Sequence, residues 1–472
     1  MPARPAARSL ARAGRVLAAL AASLVAVSTA THVGAQSGPP PERFAMRVVT
    51  QGLDAPWEVT WGPDNRLWVT ERRGRRVLRV DPADGAQSVA LVMPEVHQSV
   101  AQDGLLGLAL HPQLLKGTDA VFVAYTYDDA PGPALVRRMA VRRYTYDPAS
   151  GRLASPADVL TGLPVHDDHL AGRLAFGPDG MLYLSLGDEG SNFGGNRCQL
   201  NHALDLPTAA EVAARNWTSY KGKILRFAPD GSIPPDNPVL GGVRSHVFSY
   251  GHRNPQGLVF GPGGRLYESE HGPDVDDEVN LIEAGGNYGW PRVAGYRDDK
   301  GYVYANWSAS SPAPCASLPQ GRGAIPPSVP QQAESTFQAS DFKPPLQTFF
   351  TLDPSTETQR RPGNTIAPGS LDIVTSATGV PGWNVSLLLP TLLRGLIYRL
   401  PLAPDGRSIA GAPLEYFKTT NRYRDLAVGP DQRTFYIVTD NDGRTLDDKG
   451  VPARTVANPG AILEFKYAGA GN

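Results

Sequence analysis

The 472-residue chain lacks the features that mark several common classes of protein. Its only cysteines, Cys198 and Cys315, are too few for a disulfide scaffold, and the sequence leaves open whether they pair. The 45 Lys and Arg do not outnumber the 46 Asp and Glu, which argues against a nucleic-acid partner. Helical periodicity is nearly absent, apart from a short segment around "TAAEVAARNW", so the chain is expected to be all-β.

The N-terminus carries the only apolar run that bears on export. Four arginines precede residues 16–27, and small residues lead to a cleavage point after Ala35. We interpret residues 1–35 as a cleaved secretory signal peptide and residues 36–472 as one exported domain. A membrane anchor is the alternative, but the run is short for a span of roughly 20 residues. The mature chain, with 41 basic and 46 acidic side chains, is predicted to have no membrane span.

The chain is organised by an internal repeat. Each copy consists of an apolar residue, a Gly-Pro-Asp type of turn and a segment of alternating apolar residues, which predicts a turn followed by a half-buried strand. The four clear copies begin at Trp61, Phe176, Phe260 and Val428, and two looser copies begin at Leu110 and Gly382.

Six unevenly spaced copies in an all-β chain predict a six-bladed β-propeller with long inter-strand loops. A pair of β-sandwiches is the alternative, and the repeat disfavours it. In propellers, functional sites usually lie on the loops at the mouth of the central channel. Polar motifs next to the repeats are therefore the candidates for function.

The first such motif is "VHDDHLAGR", residues 165–173. His169, with a neighbouring carboxylate to fix its ring, suits general-base catalysis. His166 and His169 could instead bind a metal, but only if further ligands converged on them. Taken alone, the motif is most simply a solvated polar loop.

Three further motifs are rich in charge. In "NRYRD", Arg422 and Arg424 lie on one face of an extended segment, which favours an anion between them or a surface pair matched by Asp425 or solvent. "GHRNPQG", residues 251–257, is a tight polar loop that enters a repeat. "SEHGPDVDDEVN", residues 269–280, suggests either a hard cation such as Ca²⁺ or an exposed acidic turn.

Together these stretches, with "GKILRFAPDGSIPPDNP" and "NLIEAGGNYGWPRVAGY", make the mature chain resemble the soluble, periplasmic quinoprotein glucose dehydrogenases, which use pyrroloquinoline quinone (PQQ) and Ca²⁺. The resemblance runs from about Gln51 to Tyr467. It implies a six-bladed propeller that oxidises an aldose at its anomeric carbon to the lactone by hydride transfer to PQQ. It also implies an electron acceptor other than oxygen and, as a common state of the family, a homodimer.

The resemblance assigns roles to individual residues. His169 corresponds to the general base, Asp168 to the carboxylate beside it and Gln102 to a sugar contact. The remaining assignments concern the cofactor: Arg253 near the developing quinone oxyanion, Asn254 as a cofactor contact, and Arg422 and Arg424 as the pair that holds the cofactor carboxylates.

The resemblance also implies two calcium sites. Backbone carbonyls of Gly272 and Pro273 correspond to ligands of the cofactor-site ion. The second, structural site is implied at Glu278, Tyr288, Ala294, Tyr296, Asp298 and Glu334, partly through backbone oxygens.

The chain departs from the family pattern at several positions. Leu393 replaces a cofactor-contacting lysine, Phe193 a sugar-contacting glutamine and His271 a glutamine before the calcium ligands, while Arg394 beside Leu393 is expected to point to the opposite side. The loop at 351–364 is short and lacks the family's aromatic and cysteine pairs. The preferred sugar and the cofactor affinity therefore stay open. A calcium-dependent lactonase and a non-catalytic sugar-binding propeller are the alternative functions.

Overall fold

The computed structural model describes residues 42–130, 132–192, 194–319, 325–352, 365–446, 451–453 and 455–470. The predicted signal peptide, Phe193 and most of the 351–364 loop lie outside these residues. In chain order the strands are β1 (Glu42–Thr50), β2 (Pro56–Trp61), β3 (Leu67–Glu71), β4 (Arg76–Val80), β5 (Gln87–Val92), β6 (Leu105–Leu110), β7 (Ala120–Asp128), β8 (Arg137–Asp147), β9 (Arg152–Pro164), β10 (Ala171–Phe176), β11 (Leu182–Leu186), β12 (Lys223–Phe227), β13 (Val239–Leu240), β14 (Val243–Arg244), β15 (Val247–Tyr250), β16 (Pro255–Phe260), β17 (Leu266–Glu270), β18 (Asp277–Ile282), β19 (Tyr304–Ala305), β20 (Gln331–Gln332), β21 (Gln347–Phe349), β22 (Asp372–Val374), β23 (Ser386–Pro390), β24 (Ile397–Pro401), β25 (Leu414–Tyr416), β26 (Tyr423–Val428), β27 (Thr434–Thr439), β28 (Thr445–Leu446), β29 (Pro452–Ala453) and β30 (Ile462–Ala470).

Six four-stranded antiparallel sheets form the blades of a β-propeller, as the repeat predicts. Blades one to five are β2–β5, β6–β9, β10-β11-β12-β15, β16-β17-β18-β21 and β22–β25. Blade six combines β26, β27 and β30 with the N-terminal strand β1, so the two ends of the chain close the ring within one sheet. Because the ring is closed, each blade has a neighbouring blade on both faces, and no sheet face is left exposed at an end of the series.

Each repeat copy lies at the connection between the first two strands of a blade or on the strands that follow it. In the clear copies the turn glycine donates its N–H to the carbonyl that closes the turn, at 2.8 Å for Gly62 and 2.9 Å for Gly177. A Cβ at Gly62 would lie 2.4 Å from Asp64 Oδ1, so only glycine lets the turn close this tightly. The looser copy at Gly382 supplies β23 and β24 of blade five, which completes the six.

Every pair of neighbouring blades encloses one apolar cluster. Trp68 of blade one packs in a cluster with Val123 of blade two, and Leu184 of blade three shares another with residues of blade two. Blades six and one meet in a cluster containing Val438 and Val69, so the ring is closed by packing as well as by hydrogen bonds. The core is therefore divided into six interfaces around the ring.

This packing corrects the expectation of half-buried strands. The second strands β3, β11, β17 and β27 are buried along their whole length. A blade has a neighbouring blade on each face, so both sets of alternating side chains leave water. The polar residues on these strands consequently need partners inside the protein.

The innermost strands β2, β6, β10, β16, β22 and β26 contact one another around a central channel. Arg173 of β10 lies across it. Its Nη1 donates to Glu58 at 2.5 Å and to Asp425 at 3.0 Å, and its Nε donates to the Gln256 carbonyl at 2.9 Å. Its guanidinium also lies 4.2 Å from the Trp57 ring centroid. One side chain thus joins blades one, three, four and six.

Most of the remaining elements lie in long insertions in blades three and four, whereas β28 and β29 lie between β27 and β30 of blade six. The α-helix α1 (Ala209–Ala214) begins at a capping box formed by Thr208 and Glu211, where the sequence predicts a short helix. Short 3₁₀ turns span Gly194–Asn196, Thr218–Tyr220, Pro262–Gly264, Trp307–Ala309, Cys315–Ser317 and Glu334–Thr336. A disulfide joins Cys198 to Cys315 and so links the two insertions. Among the described residues, no helix is long and apolar enough to span a bilayer.

Candidate active site

A polar pocket of about 510 Å³ lies at one mouth of the channel. Most of its wall comes from residues just before or at the start of the innermost strands. The lining residues are Trp57, Ala101, Gln102, Asp168, His169, Ala171, Arg253, Asn254, Gln256, His271, Gly272, Asp274, Thr365, Ala367, Leu392, Arg422, Arg424 and Arg444. The structure therefore brings the predicted base, sugar contacts, cofactor contacts and one predicted calcium ligand into one cavity, although they span more than 300 residues of sequence.

His169 reaches this pocket from the loop between β9 and β10. Its backbone has a φ of 47°, and its carbonyl lies against Gly187, where a Cβ would come within 1.7 Å of the oxygen. The close approach requires glycine at 187 and fixes the loop. The side chain is nearly buried, and Nδ1 lies 2.7 Å from Asp188 Oδ1.

Asp188 is the carboxylate that orients the imidazole. It is fully buried, and it also accepts hydrogen bonds from Gly190 N at 2.9 Å, Asn201 Nδ2 at 2.9 Å and Trp290 Nε1 at 2.6 Å. With all of these donors directed at it, Asp188 accepts from Nδ1–H of His169. Nε2 then carries no proton, and its lone pair is the part of the ring that can act as a base.

Asp168, predicted as the helper of His169, has a different position. Its Oδ1 accepts from the His169 N–H at 3.0 Å and from Gln102 Nε2, and its Oδ2 lies 3.8 Å from His169 Nε2. Asp168 and Gln102 therefore flank the Nε2 side of the ring. His166 points away from the pocket and pairs with Asp167 in solvent at 2.6 Å, so this half of the motif is the solvated loop.

The loop carrying Arg253 and Asn254 is held from behind by a buried acid. Glu270 Oε2 accepts from the N–H of Arg253 at 2.6 Å and from that of Asn254 at 3.3 Å. Arg253 Nη1 donates to the His271 carbonyl at 3.1 Å, and its guanidinium lies 5.3 Å from the Trp290 ring centroid. These contacts present the guanidinium of Arg253 to the pocket.

Arg422 and Arg424 share one carboxylate, as their spacing on an extended segment allows. Arg424 Nη2 lies 2.8 Å and Arg422 Nε 3.6 Å from Asp440 Oδ2, whereas Asp425 pairs with Arg173. Burial would raise the pKa of Asp440, but the guanidinium groups of Arg424 and Arg422 hold that pKa below its ordinary value. One anion cannot balance two cations, and the Nε atoms of both arginines are buried with no hydrogen-bond partner among the described residues.

The predicted calcium loop is fixed by Asp277. This buried carboxylate accepts from Gly272 N at 3.0 Å, Ile366 N at 2.7 Å and Thr365 Oγ1 at 2.5 Å. Burial raises the pKa of Asp277 to about 6 despite these donors. A Cβ on Gly272 would lie 1.8 Å from the Val275 carbonyl, so the loop tolerates only glycine there. Gly272 lines the pocket, as its predicted role requires.

Most of the residues predicted to bind the structural calcium ion lie together in an acidic cluster. Glu278 Oε1 accepts from Gly295 N at 2.6 Å, and Glu334 Oε1 accepts from Ala294 N at 2.9 Å. Burial, with Asp276 and Asp298 nearby, raises the pKa of Glu334 to about 9.

Tyr296 lies close to the charges of Glu278 and Asp298, which together with burial raise the pKa of its hydroxyl. The side chain of Tyr288 is engaged elsewhere: its hydroxyl donates to the Leu281 carbonyl at 2.6 Å and its ring stacks on His252. The cluster also includes Asp276, which sequence reasoning did not single out.

The departures from the family pattern have clear positions. Leu392, rather than its buried neighbour Leu393, lines the pocket, and Arg394 stacks its guanidinium 4.4 Å from the Phe350 ring centroid. His271 Nε2 lies 2.7 Å from the Pro368 carbonyl, and burial lowers the pKa of this imidazole to about 3. Neutral His271 therefore donates its Nε2–H to that carbonyl.

Sequence reasoning missed four residues of the site, which are Trp57, Asp188 as the orienting acid, Asp440 and Arg444. Gln256 lies in the polar loop "GHRNPQG" that the sequence singled out, but no role was assigned to it. The signal for Trp57 was present, because it lies at the start of an innermost strand. Asp188 and Asp440 each follow the second strand of a blade, in "SLGDEG" and "VTDNDG", and this shared position could have identified both.

The chain is similar to known sugar dehydrogenases in both sequence and structure. Residues 53–321 match the family model of glucose/sorbosone dehydrogenase. The chain is 40% identical over 438 residues to quinoprotein glucose dehydrogenase B of Acinetobacter calcoaceticus, covering 90% of this chain and 91% of that one. It is 29% identical over 261 residues to the aldose sugar dehydrogenase YliI of Escherichia coli, covering 53% and 62% of the two chains.

A solved structure is similar over almost the whole chain. The PQQ-bound form of an aldose sugar dehydrogenase from Streptomyces coelicolor aligns with a TM-score of 0.60 at 28% identity and covers 91% of this chain and 100% of that one. The similarity extends through all six blades rather than one motif.

Proposed function

Because the chain belongs to the glucose/sorbosone dehydrogenase family, we propose that it oxidises an aldose, such as glucose, at the anomeric carbon to the lactone with PQQ as cofactor. The observation that carries this proposal is the meeting of His169 with Arg253, Arg422 and Arg424 in one pocket. A base beside a group of cations suits the removal of a proton from a sugar next to a bound anionic cofactor.

The residues of the pocket fit a planar cofactor with several carboxylates. Among the described residues, the buried Nε atoms of Arg422 and Arg424 have no hydrogen-bond partner and the two guanidinium groups share one counter-ion, Asp440, so they would bind the carboxylates. Asn254 would contact the cofactor, and Arg253 would offset negative charge that develops on it. Bound PQQ supplies the acceptor for the hydride that leaves the anomeric carbon.

His169 performs the proton chemistry in this proposal. Since Asp188 holds Nδ1, Nε2 accepts the proton of the anomeric hydroxyl as the carbonyl of the lactone forms. The charge of Asp188 then stabilises the imidazolium. Asp168 and Gln102, on the Nε2 side of the ring, would bind sugar hydroxyls and orient the anomeric carbon.

Calcium completes the proposed site. The carbonyls of Gly272 and Pro273 would bind one ion at the cofactor, since Ca²⁺ prefers oxygen ligands. A structural ion would bind at Glu278, Tyr288, Ala294, Tyr296, Asp298 and Glu334. The buried carboxylates of Glu278 and Glu334, with no Lys or Arg paired to either among the described residues, support a cation there.

In this proposal, another cation compensates for the positive charge that is lost where Leu393 replaces the family's lysine. Arg444 lines the pocket from the segment after β27, and its carbonyl accepts a hydrogen bond from Arg422. It would supply a further positive charge for the cofactor.

We further propose that the enzyme is periplasmic and passes its electrons to an acceptor other than oxygen. The N-terminal sequence supports export, and the Cys198–Cys315 disulfide suits an oxidising compartment. A homodimer is proposed from the family alone.

Reconstitution tests the function. The metal-stripped chain is loaded with PQQ and Ca²⁺ and assayed by dye reduction with hexoses, pentoses and disaccharides. At least one aldose should be oxidised, and omission of PQQ or Ca²⁺ should abolish turnover. His169→Gln should abolish turnover while the absorbance change on PQQ binding persists.

Absence of turnover on the whole panel despite bound PQQ would contradict the proposal. Hydrolysis of lactones without PQQ would identify a lactonase instead. Failure to bind PQQ, with sugar binding retained, would identify a binding propeller.

A further inference from the structure

A buried polar cluster lies behind the pocket, between blades three and four. Glu268 and Glu270 are two positions apart on β17, so both side chains point to the same side of the sheet. Asn280 of β18 lies opposite Glu268 in the register, and His252 approaches from the loop before β16. His252, Glu268 and Asn280 are fully buried, and Glu270 is 3% exposed.

The donor atoms of this cluster converge. One ligand atom from each of His252, Glu268 and Glu270 lies within 4.8 Å of the others. His252 Nδ1 is 3.2 Å from Glu270 Oε1, close to the separation of about 3.4 Å between two ligands of a tetrahedral ion about 2.1 Å away. His252 Nε2 contacts Ser249 Oγ at 2.8 Å, an outer contact of the kind that orients metal-binding histidines.

The charge of the cluster is not balanced by any described lysine or arginine. Among the described residues, Glu268 has no ion pair and Glu270 pairs only with His252. Asn280 Nδ2 donates to Glu268 Oε2 at 3.0 Å, to Glu270 Oε1 at 3.4 Å and to Glu278 Oε2, of the neighbouring acidic cluster, at 3.1 Å. One amide cannot neutralise three carboxylates, and a buried ionised carboxylate without a counter-charge is costly.

Within the part of the chain that the structure describes, two buried oxygen atoms of the cluster also have no hydrogen-bond partner. They are Glu268 Oε1 and Asn280 Oδ1, both on fully buried residues. Unpaired acceptors of this kind are rare in protein interiors. The carboxamide of Asn280 directs its NH₂ at the acids, so turning the amide over would bring its oxygen to the cluster as a further ligand.

We propose that His252, Glu268, Glu270 and Asn280 form a site for a first-row transition dication such as Zn²⁺. One imidazole nitrogen among carboxylate and amide oxygens suits such an ion better than Ca²⁺, which prefers oxygen alone. The site uses none of the residues proposed to bind calcium. It goes beyond the proposed sugar oxidation and does not depend on it.

The position of the site indicates a structural role. Glu270 contributes Oε1 to the cluster, while its Oε2 accepts from the N–H groups of Arg253 and Asn254. An ion bound to Glu270 would fix the carboxylate that holds this loop. The metal would therefore position Arg253 and Asn254 at the pocket wall without touching a substrate.

The test measures metal directly. The full mature chain is stripped of metal, refilled with Ca²⁺ and titrated with Zn²⁺ by calorimetry, and bound ions are counted by mass spectrometry after buffer exchange. We expect about one Zn²⁺ per chain and a loss of Zn²⁺ affinity of at least about 100-fold in Glu268→Gln. The matched control Glu334→Gln removes a buried acid from the other cluster and should keep the Zn²⁺.

Wild type that binds no Zn²⁺ overturns the proposal, whether or not the Glu268→Gln chain folds. Equal Zn²⁺ affinity in Glu268→Gln also overturns it, as does an additional Ca²⁺ in place of Zn²⁺. Because ion counting needs neither PQQ nor sugar, failure of the metal site and failure of the oxidation proposal give separate results.

Discussion

At the residue scale, the contact that defines the site joins His169 to an acid 19 positions further along the chain. Asp168 is adjacent in sequence, but the loop turns its carboxylate to the other edge of the ring, 3.8 Å from Nε2. Asp188 comes from the end of the second strand of the same blade and holds Nδ1. The sequence motif therefore identified His169 as the base. It could not show that Asp188, rather than the adjacent Asp168, sets the tautomer of the imidazole.

Asp188→Asn tests this assignment. Oδ1 of the carboxylate faces His169 and Gly190, whereas Oδ2 accepts from the side chains of Asn201 and Trp290. An amide that keeps the Asn201 and Trp290 bonds places its NH₂ at the Oδ1 position, so His169 loses its acceptor at Nδ1 and its Nε2 ceases to be held as the base. We expect kcat for sugar oxidation to fall by about 10²–10⁴-fold at saturating sugar and cofactor.

The control for this prediction is Asp168→Asn, which should raise the KM for sugar more than it lowers kcat, because Asp168 lies on the substrate side. Nitrogen-15 NMR of His169 provides an independent reading of which ring nitrogen carries the proton. An unchanged tautomer and an unchanged kcat in Asp188→Asn would refute the orienting role.

At the element scale, the sequence predicted which strands carry the site residues, but it did not predict how the long insertions fold around them. His169, Arg253 and Arg422 each come one or two residues before an innermost strand, and the repeat located those strands. Trp290, by contrast, lies in the long insertion after β18, which has no periodicity. Its contact with Asp188 depends on how that insertion folds over the channel mouth, and no local pattern encodes this.

The edge of blade three offers a pH test. His246, next to β15, is buried against Trp217 and Tyr220, with Nδ1 3.0 Å from the Tyr220 hydroxyl and Nε2 3.1 Å from the Gly231 carbonyl. Burial lowers the pKa of His246 below its ordinary value. As pH falls through about 6.5, the unfolded chain takes up a proton that the native chain does not, so acid favours unfolding.

We therefore expect His246→Gln to remove part of the acid sensitivity of the native state. Its free energy of unfolding should vary less with pH below about 6.5, by up to about 1.4 kcal/mol per pH unit relative to wild type. Urea unfolding across this pH range measures the difference. His166, whose side chain is 43% exposed and pairs with Asp167, provides the control, because His166→Gln disturbs no buried ion pair. Parallel pH profiles for wild type and His246→Gln would contradict the prediction.

At the scale of the whole molecule, the sequence predicted six blades but not how the ring closes. Each repeat copy marks a blade, including the degenerate copy from Gly382. Strand β1, which completes blade six, lies upstream of the first repeat and contains no turn motif. Pairing of β1 with β30 joins opposite ends of the chain, and only the closed ring brings these two strands together.

Arg173 tests how the blades depend on one another. Replacement by leucine leaves Glu58 and Asp425 buried without their cation, while burial already raises the pKa of Glu58 well above its ordinary value. We expect Arg173→Leu to lower the free energy of unfolding by about 3–5 kcal/mol, measured with guanidinium chloride.

The triple variant Arg173→Met, Glu58→Gln, Asp425→Asn removes all three charges together and should recover much of that loss, because no buried charge is then left unpaired. If the single and triple variants are equally unstable, packing against Trp57 rather than charge accounts for the effect. If Arg173→Leu is as stable as wild type, the apolar clusters between blades and the β1–β30 pairing hold the ring, and the buried ion network contributes nothing to its closure.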